Sequence, residues 1–517
     1  MVLAKDIFKE FREHSVSEFF RKNAAMLGYT GKIRSLTTVV HEGVTNAIDA
    51  AEDAGILPSV YVAIRSIGED SDHYKVIIED NAAGIPDEYI PRVFGRMLAG
   101  TKLHRNVQNR GQQGIGISGG VMFSQATSGQ PATVITSTED SDTISWNEVM
   151  IDVNKNRGDV QDHREFDENG EWRGTRIEFE VKDLSYRHSR YGPIKYLRMT
   201  AIANPHVQIT FEEPDGTLTI FERAAHEVPE QPEPVPPHPA GMRADGLLDL
   251  SSGTNNRSIG TFLTSELSRF SRNKLEELEK KVNVNLDQKP ENMNWDEAEE
   301  IVSAFRDMEF MAPPTKGLRP IGEENIESGL NQILNPDYAC ATTRSPEVYH
   351  GGIPFIVETG LAYGGNAGDD AGSGETGLEI IRFANRAPLI FNQGGCALTK
   401  AAEDIDWKRY EIDPEKTPVT LFINIVSYQV PYTSAGKQSV ADEPEVYEEV
   451  RQAVMASARD LKRFMKKKKR KREKRERANL FKTYLPVIAR KAADISEKEA
   501  PDIHSLVEEI AGVELDE

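Results

Sequence analysis

Four short blocks follow one another between residues 41 and 175: HEGVTNAIDA at 41–50, EDNAAGIP at 79–86, RGQQGIGISGG at 110–120 and RGT at 173–175. Each sets polar or glycine residues against an apolar periodicity. A fold that satisfies all four must bury the periodic residues and still bring the polar groups to one place.

The first block has helical spacing. At about 100° per residue, Leu36, Val40, Val44, Ala47 and Ile48 share one side of a helix, while Glu42, Asn46 and Asp49 share the opposite side. Glu42 and Asn46 sit one turn apart and can address the same ligand. A carboxylate there can polarise a water, and an amide oxygen can complete the oxygen shell of a Mg2+ bound to phosphates. Read alone, the block is equally a surface stripe on an amphipathic helix.

The second block ends a strand. In YKVIIED, Val76, Ile78 and Asp80 alternate onto one face, so the strand delivers an acid beside two core residues. A buried Asp needs a donor, and an adenine amino group is a suitable one. Residues 81–86 read as a turn in which Gly84 permits close backbone approach. An isolated strand-to-turn acid would satisfy the same pattern.

In the third block, Gly111, Gly114 and Gly116 allow backbone N–H groups to point at an anion, and residues 117–123 can start a helix whose N-terminus favours negative charge. The block lacks the Lys-Ser/Thr ending of a P-loop and does not directly follow a strand, as a dinucleotide fingerprint would. In the fourth, Thr175 is in phase with Ile177, Phe179 and Val181. Its hydroxyl is either a satisfied core group or a support for the acid of the second block.

Taken together, the order and spacing resemble the ATP-binding fold shared by gyrase, Hsp90, histidine kinases and MutL. The stretches VSEFFRKN at 16–23, HEGVTNAIDA, TKLHRNVQNRGQQGIGISGG at 101–120 and YTSAGKQS at 432–439 narrow the likeness to the B subunits of DNA topoisomerase VI, over most of the chain. The resemblance implies ATP and Mg2+ as cofactors, with Glu42 as general base, Asn46 as Mg2+ ligand and Asp80 as adenine acceptor. It also implies a nucleotide contact at Gly84, triphosphate contacts from Thr101, Lys102, Gly111, Gln112, Gln113, Gly114, Ile115 and Gly116, and support of Asp80 by Thr175, through water. Lys437 would reach the γ-phosphate from another domain, which suits a cation that neutralises charge developing on a transferring phosphoryl group. Without the family, Lys437 reads as a solvated loop lysine. One departure stands out: Ala82 occupies a position where the superfamily usually has glycine.

The expected fold class is α+β multidomain. The resemblance implies that residues 1–20, which by themselves show only an amphipathic start, form an N-terminal strap crossing to a second protomer, and that 21–228 form an ATP-binding α/β sandwich. That domain is bounded by HEVPEQPEPVPPHPA at 226–240, whose six prolines make an extended linker. Residues 229–311 would hold this linker and a small helix-two-turns-helix domain, with helices expected over 258–282 and 294–308; a plain helical spacer fits these residues too. Residues 312–480 would form an α/β transducer with strands in GIPFIVETGLAY, LEIIRFANRAPLIF and TPVTLFINIVSYQV, and the long helix after Val440 would complete a crossover unit. Residues 481–517 would dock a partner, the A subunit of the same enzyme.

A net charge of −21 argues against nucleic-acid contact over most of the surface. The distribution is uneven, however: Lys462 to Arg477 holds twelve Lys/Arg and two Glu, a local +10 that leaves −31 for the rest. The run lies in strong helix formers from about 443 to 480, and reads either as a solvated helix face or as a basic stalk near DNA. Trp407, Lys408, Arg409 and Tyr410 form an aromatic and cationic cluster resembling a family motif that contacts DNA. Two cysteines form no disulfide framework, no apolar run reaches membrane-spanning length, and the charged N-terminus does not suit a signal peptide, so a cytoplasmic, nucleoid-associated protein is expected.

The family reading is the ATPase subunit of a type IIB DNA topoisomerase. ATP would pair two B subunits in an A2B2 heterotetramer, and the tyrosine that cleaves double-stranded DNA would belong to the A subunit. The rival is an ATP clamp of chaperone or DNA-repair type, without strand passage. A histidine kinase is disfavoured because no helical hairpin with a phosphoacceptor His precedes the site.

Overall fold

The computed structural model describes residues 24, 28–68, 72–96, 107–108, 110, 116–152, 156–167, 172–350, 352–368, 377–434, 436–497, 499, 501 and 503. The expected strap at 1–20 lies outside them, as do Thr101, Lys102 and residues 111–115.

The N-terminal part is a helix-on-sheet sandwich. Its elements are α1 (Lys32–Asp53), β1 (Ser59–Ser66), β2 (Tyr74–Glu79), α2 (Ile90–Gly95), α3 (Gly116–Ser128), β3 (Ala132–Ser137), β4 (Thr143–Asp152), β5 (Arg157–Asp167), β6 (Gly174–Val181), α4 (Pro193–Ala203), β7 (Gln208–Glu212) and β8 (Leu218–Phe221). The eight strands run in the order β5-β4-β3-β6-β2-β1-β7-β8, with β1 and β7 the one parallel pair. β6 shows how the alternation works: Ile177, Phe179 and Val181 enter the core, while Arg176 and Glu178 on the other face pair with Glu79 and Lys75 of β2.

The apolar face of α1 is buried as its periodicity predicts, with Leu36, Val40 and Val44 at 0% exposure. Each such aliphatic side chain contributes roughly 1.5–3 kcal/mol by leaving water. This fixes the rotation of the helix and turns the Glu42–Asn46 stripe away from the sheet.

A helical unit follows: α5 (Ala244–Gly253), α6 (Ile259–Glu266), α7 (Arg272–Glu279) and α8 (Trp295–Arg306) around a core of its own. The single helix expected over 258–282 is two helices, because Arg269 takes a left-handed backbone (φ 58) between them. Ser258 and Asn294 cap α6 and α8 through reciprocal capping boxes.

The C-terminal part comprises α9 (Glu323–Leu334), β9 (Tyr338–Thr343), β10 (Glu347–Tyr349), β11 (Ile353–Tyr363), β12 (Leu378–Ala384), β13 (Ala387–Pro388), α10 (Ala397–Glu403), β14 (Val419–Ser427) and α11 (Pro444–Ser496). β12 and β14 are parallel, so the crossover lies between them and contains α10. α11 follows the last strand and completes no crossover, which corrects the expectation for that helix. It also passes residue 480 and continues through Pro486 to Ser496.

The two sheet-bearing parts are joined by an apolar seam. Met199, Ile202 and Ala203 of α4 pack with Ile326 and Leu330 of α9 and with Phe383 and Phe422 of the second sheet. A Cβ at Gly329 would stand 2.3 Å from the Ile202 carbonyl oxygen, so α4 and α9 approach through that glycine. Lys195 of α4 and Glu379 of β12 form an ion pair across the seam, both side chains buried, and Glu379 also accepts from the Thr420 hydroxyl at 2.9 Å.

Candidate nucleotide site

β2 and β6 position the acid. Asp80 is 9% exposed, and its Oδ1 accepts from the backbone N–H groups of Ala82 (3.0 Å) and Thr175 (3.1 Å). Burial nevertheless dominates and pushes its carboxyl up to about 6. The main chain of Thr175 thus contacts Asp80 directly, and Asp80 N–H donates in return to the Thr175 carbonyl at 2.9 Å. The Thr175 hydroxyl lies 3.5 Å from that of Thr136.

Ala82 needs no glycine freedom, since it is not among the residues with left-handed backbone. Gly84 does: its φ is +74, and a Cβ there would stand 2.1 Å from the Ser137 carbonyl oxygen. Thr136, unassigned by the sequence reading, locks the same turn by accepting from Ile85 N–H at 2.8 Å and donating to the Gly174 carbonyl at 3.1 Å.

On α1, Asn46 is exposed and its amide nitrogen donates to the Glu42 carbonyl at 2.6 Å. Its side-chain oxygen has no donor among the described residues. The Glu42 side chain is 27% exposed and faces the start of α3, where a Cβ on Gly116 would stand 1.9 Å from Glu42 Oε2. Glycine at 116 is what admits this carboxylate beneath the helix N-terminus.

Lys437 enters from the other side of the seam. The loop after β14 is closed by a bridge between Tyr432 and Val440 and by Thr433 N–H donating to the Ser439 carbonyl at 3.0 Å. At its tip Lys437 takes φ 50, and its Nζ donates to the Arg110 carbonyl at 3.2 Å. It shares with His41, Glu42, Gly28, Phe391 and Gln438 a cavity of about 30 Å³. Burial lowers the pKa of this ammonium, opposed by Glu42 and then Asp49. Burial likewise lowers that of His41, which packs edge-on against Tyr196 at 5.2 Å.

The WKRY cluster divides. Trp407 and Tyr410 are core residues, 4% and 6% exposed, and the Trp407 indole donates to the Ala402 carbonyl at 3.0 Å. Lys408 and Arg409 are exposed. The two rings are thus unavailable for stacking on DNA, a correction to the expectation for Trp407 and Tyr410, and only the two cations face outward.

Arg110 is the residue the sequence reading passed over. It stands immediately before the glycine block, and its guanidinium donates to Asp49 (2.6 Å), Glu52 (2.8 Å) and Asn204 (2.6 Å). The RGQQG pattern marked the position without showing its partners.

The helix-on-sheet sandwich, with a buried acid at the end of β2, a Glu/Asn pair on α1 and a glycine that opens the start of α3, is that of an ATPase of the histidine kinase-, DNA gyrase B- and HSP90-like class. Residues 31–183 match the family profile of that description, and residues 313–477 match "Topoisomerase VI B subunit, transducer". The chain is 50% identical to the type 2 DNA topoisomerase 6 B subunit of Pyrococcus horikoshii, over 95% of this chain and 93% of that protein. It is 49% identical to the Pyrococcus abyssi protein of the same name over the same shares, and 48% identical to that of Methanothermobacter thermautotrophicus over 98% and 97%. The chain belongs to the family of type 2 DNA topoisomerase 6 B subunits, whose enzyme class is an ATP-dependent type 2 DNA topoisomerase. This sets aside the chaperone-type and repair-type clamps. Among the described residues, no helix is long and apolar enough to cross a membrane.

The acid makes a prediction about pH. If Asp80 is the adenine acceptor that the resemblance implies, its ionised form accepts best and protonation weakens it, so ATP affinity should level off well above the carboxyl's pKa of about 6. Below it, affinity should fall by up to about tenfold per pH unit. Calorimetric titration from pH 5 to 8 checks this, and Asp80→Asn should weaken ATP binding by about 10- to 100-fold and flatten the profile.

Proposed function

We propose that this chain is the ATP-driven gate of a two-component topoisomerase. Two copies dimerise on ATP, with residues 1–20 as the exchanged strap, and the gate pulls on a DNA-cleaving A subunit in an A2B2 assembly. One duplex then passes through a break in another, giving relaxation and decatenation. The observation that carries this reading is the placement of Lys437, from the C-terminal part, in the same cavity as Glu42 of the N-terminal part. One small site thereby belongs to both bodies, and a change of nucleotide can bias their relative position.

Glu42 orients and deprotonates the attacking water, Asp80 selects adenine, and residues 101, 102 and 111–116 bind the triphosphate. Asn46 fits a Mg2+ ligand because its amide nitrogen is anchored on the Glu42 carbonyl, leaving a hard oxygen donor without a protein partner among the described residues. Bound there, Mg2+ would neutralise phosphate charge. Lys437 offers its ammonium to the γ-phosphate, exchanging the Arg110 carbonyl for a phosphate oxygen.

Lys466 to Arg477 are all exposed on α11, which suits contact with DNA phosphates, together with Lys408 and Arg409. Further along the same helix Leu480, Tyr484, Val487 and Ile488 are exposed at 58%, 58%, 52% and 59%, an apolar stripe that suits docking of the A subunit. These placements fit a protein of the cytoplasm associated with the nucleoid.

The test is reconstitution with an A subunit whose cleavage activity has been shown independently. Supercoiled DNA should be relaxed only when both chains, ATP and Mg2+ are present. Relaxation by the cleaving chain on its own, or none with both, would remove the gate reading.

A further inference from the structure

The chain crosses the seam just after β13. Leu389 is buried in the core of the second sheet, whereas Ile390 and Phe391 are buried in the core around α1. Phe391 packs on Tyr191 at 5.9 Å between ring centres, and the guanidinium of Arg34 on α1 lies over both rings, 4.4 Å from the centre of Tyr191 and 5.3 Å from that of Phe391. This short segment also lines the cavity that Lys437 shares with Glu42.

Arg382 of β12 holds the segment from the side of the second sheet. Its Nη2 donates to the Leu389 carbonyl at 2.7 Å and to the Phe391 carbonyl at 3.0 Å, and its own carbonyl accepts from Leu389 N–H at 2.7 Å. The side chain is 0% exposed, and its Nε and Nη1 have no partner among the described residues. Burying a guanidinium that keeps unpaired N–H groups is costly, and an apolar side chain of similar length would avoid the cost. What an apolar residue could not do is hold two carbonyls, one on each side of Ile390.

Asn392, the next residue, reaches the loop of Lys437. It takes left-handed backbone (φ 53), and its Nδ2 donates to Gln438 Oε1 at 3.0 Å. Gln438 in turn lies against the N-terminal part, where a Cβ on Gly28 would stand 3.1 Å from its Nε2. A lysine in left-handed backbone, as Lys437 is, persists only where its surroundings enforce it, and the Asn392–Gln438 bond is such a restraint one residue along.

We infer that Arg382 and Asn392 are positioning residues for Lys437. The guanidinium sets the course of residues 389–391 over α1, and Asn392 passes that course to the loop tip through Gln438. How the segment seats on α1 then fixes where the ammonium stands relative to Glu42, with neither residue required to touch the nucleotide. This rests on the reading of Lys437 as the cation for the γ-phosphate.

Two substitutions test the link. Asn392→Gly keeps the left-handed backbone and removes the donor to Gln438, and Arg382→Met keeps an unbranched side chain and removes both bonds to the carbonyls. In steady-state ATP hydrolysis by the full-length chain, each should lower kcat about tenfold with KM for ATP changed less than about threefold. In a Lys437→Ala background the same substitutions should lower kcat by less than about twofold more, because the cation they place is gone. A merely structural role would lower kcat by the same factor in both backgrounds. Arg382 is buried, so if Arg382→Met does not fold, the exposed Asn392 decides alone. Wild-type kcat in a folded variant, or an equal loss in the Lys437→Ala background, overturns the inference, whereas wild-type kcat in Lys437→Ala itself overturns the γ-phosphate reading.

Discussion

Glu42→Ala is expected to lower ATP turnover by about 10²- to 10⁴-fold, the range over which a positioned general base acts. ATP binding and nucleotide-dependent dimerisation should survive. The separation follows from geometry: Glu42 lies beneath Gly116, where phosphate would meet the N-terminus of α3, whereas Asp80 is held independently between β2 and β6 by the N–H groups of Ala82 and Thr175. Removing the carboxylate opens space at the α3 start without touching the adenine end. Single-turnover hydrolysis beside equilibrium nucleotide binding measures both halves, and normal turnover in this variant would remove Glu42 as the base.

Lys437→Ala should cost about 10²-fold in hydrolysis, as loss of a preorganised charge donor to a developing anion does, with ATP affinity changed by less than about threefold. The ammonium is partly buried, which weakens the screening of its charge, and among the described residues its Nζ donates to the Arg110 carbonyl within the fields of Glu42 and Asp49. Lys437→Arg should recover little, because the loop tip places a compact ammonium in a cavity of about 30 Å³. Comparing kcat and ATP affinity in both variants checks this, and an unchanged rate in Lys437→Ala would return it to a loop lysine.

Local periodicity carried the parts of the fold and site that depend on one element. The buried stripe of α1, the acid ending β2 and the alternation of β6 are all legible in residues close in sequence, because side-chain direction follows from helical or strand geometry alone. What was not legible depends on distant partners. Lys437 meets Arg110 across 327 positions and Arg110 meets Asn204 across 94, and neither separation leaves a trace in local pattern. WKRY shows the converse: an aromatic and cationic cluster has one appearance whether its rings face DNA or the core, and here they are buried against the neighbourhood of α10. The short crossover helix α10 has no bounds legible in the sequence, because seven residues hold too few turns for a periodicity to declare itself. Similarly, Arg269 breaks what composition reads as one helix between α6 and α7.

The central claim is that one nucleotide is read simultaneously by both bodies of the chain. A crystal structure with Mg2+ and a non-hydrolysable ATP analogue tests it most directly. The account predicts the adenine amino group on Asp80, Glu42 facing the γ-phosphate, and Lys437 Nζ released from the Arg110 carbonyl to within about 3 Å of a γ-phosphate oxygen. An analogue bound with Lys437 still on Arg110, or with its base away from Asp80, would contradict it.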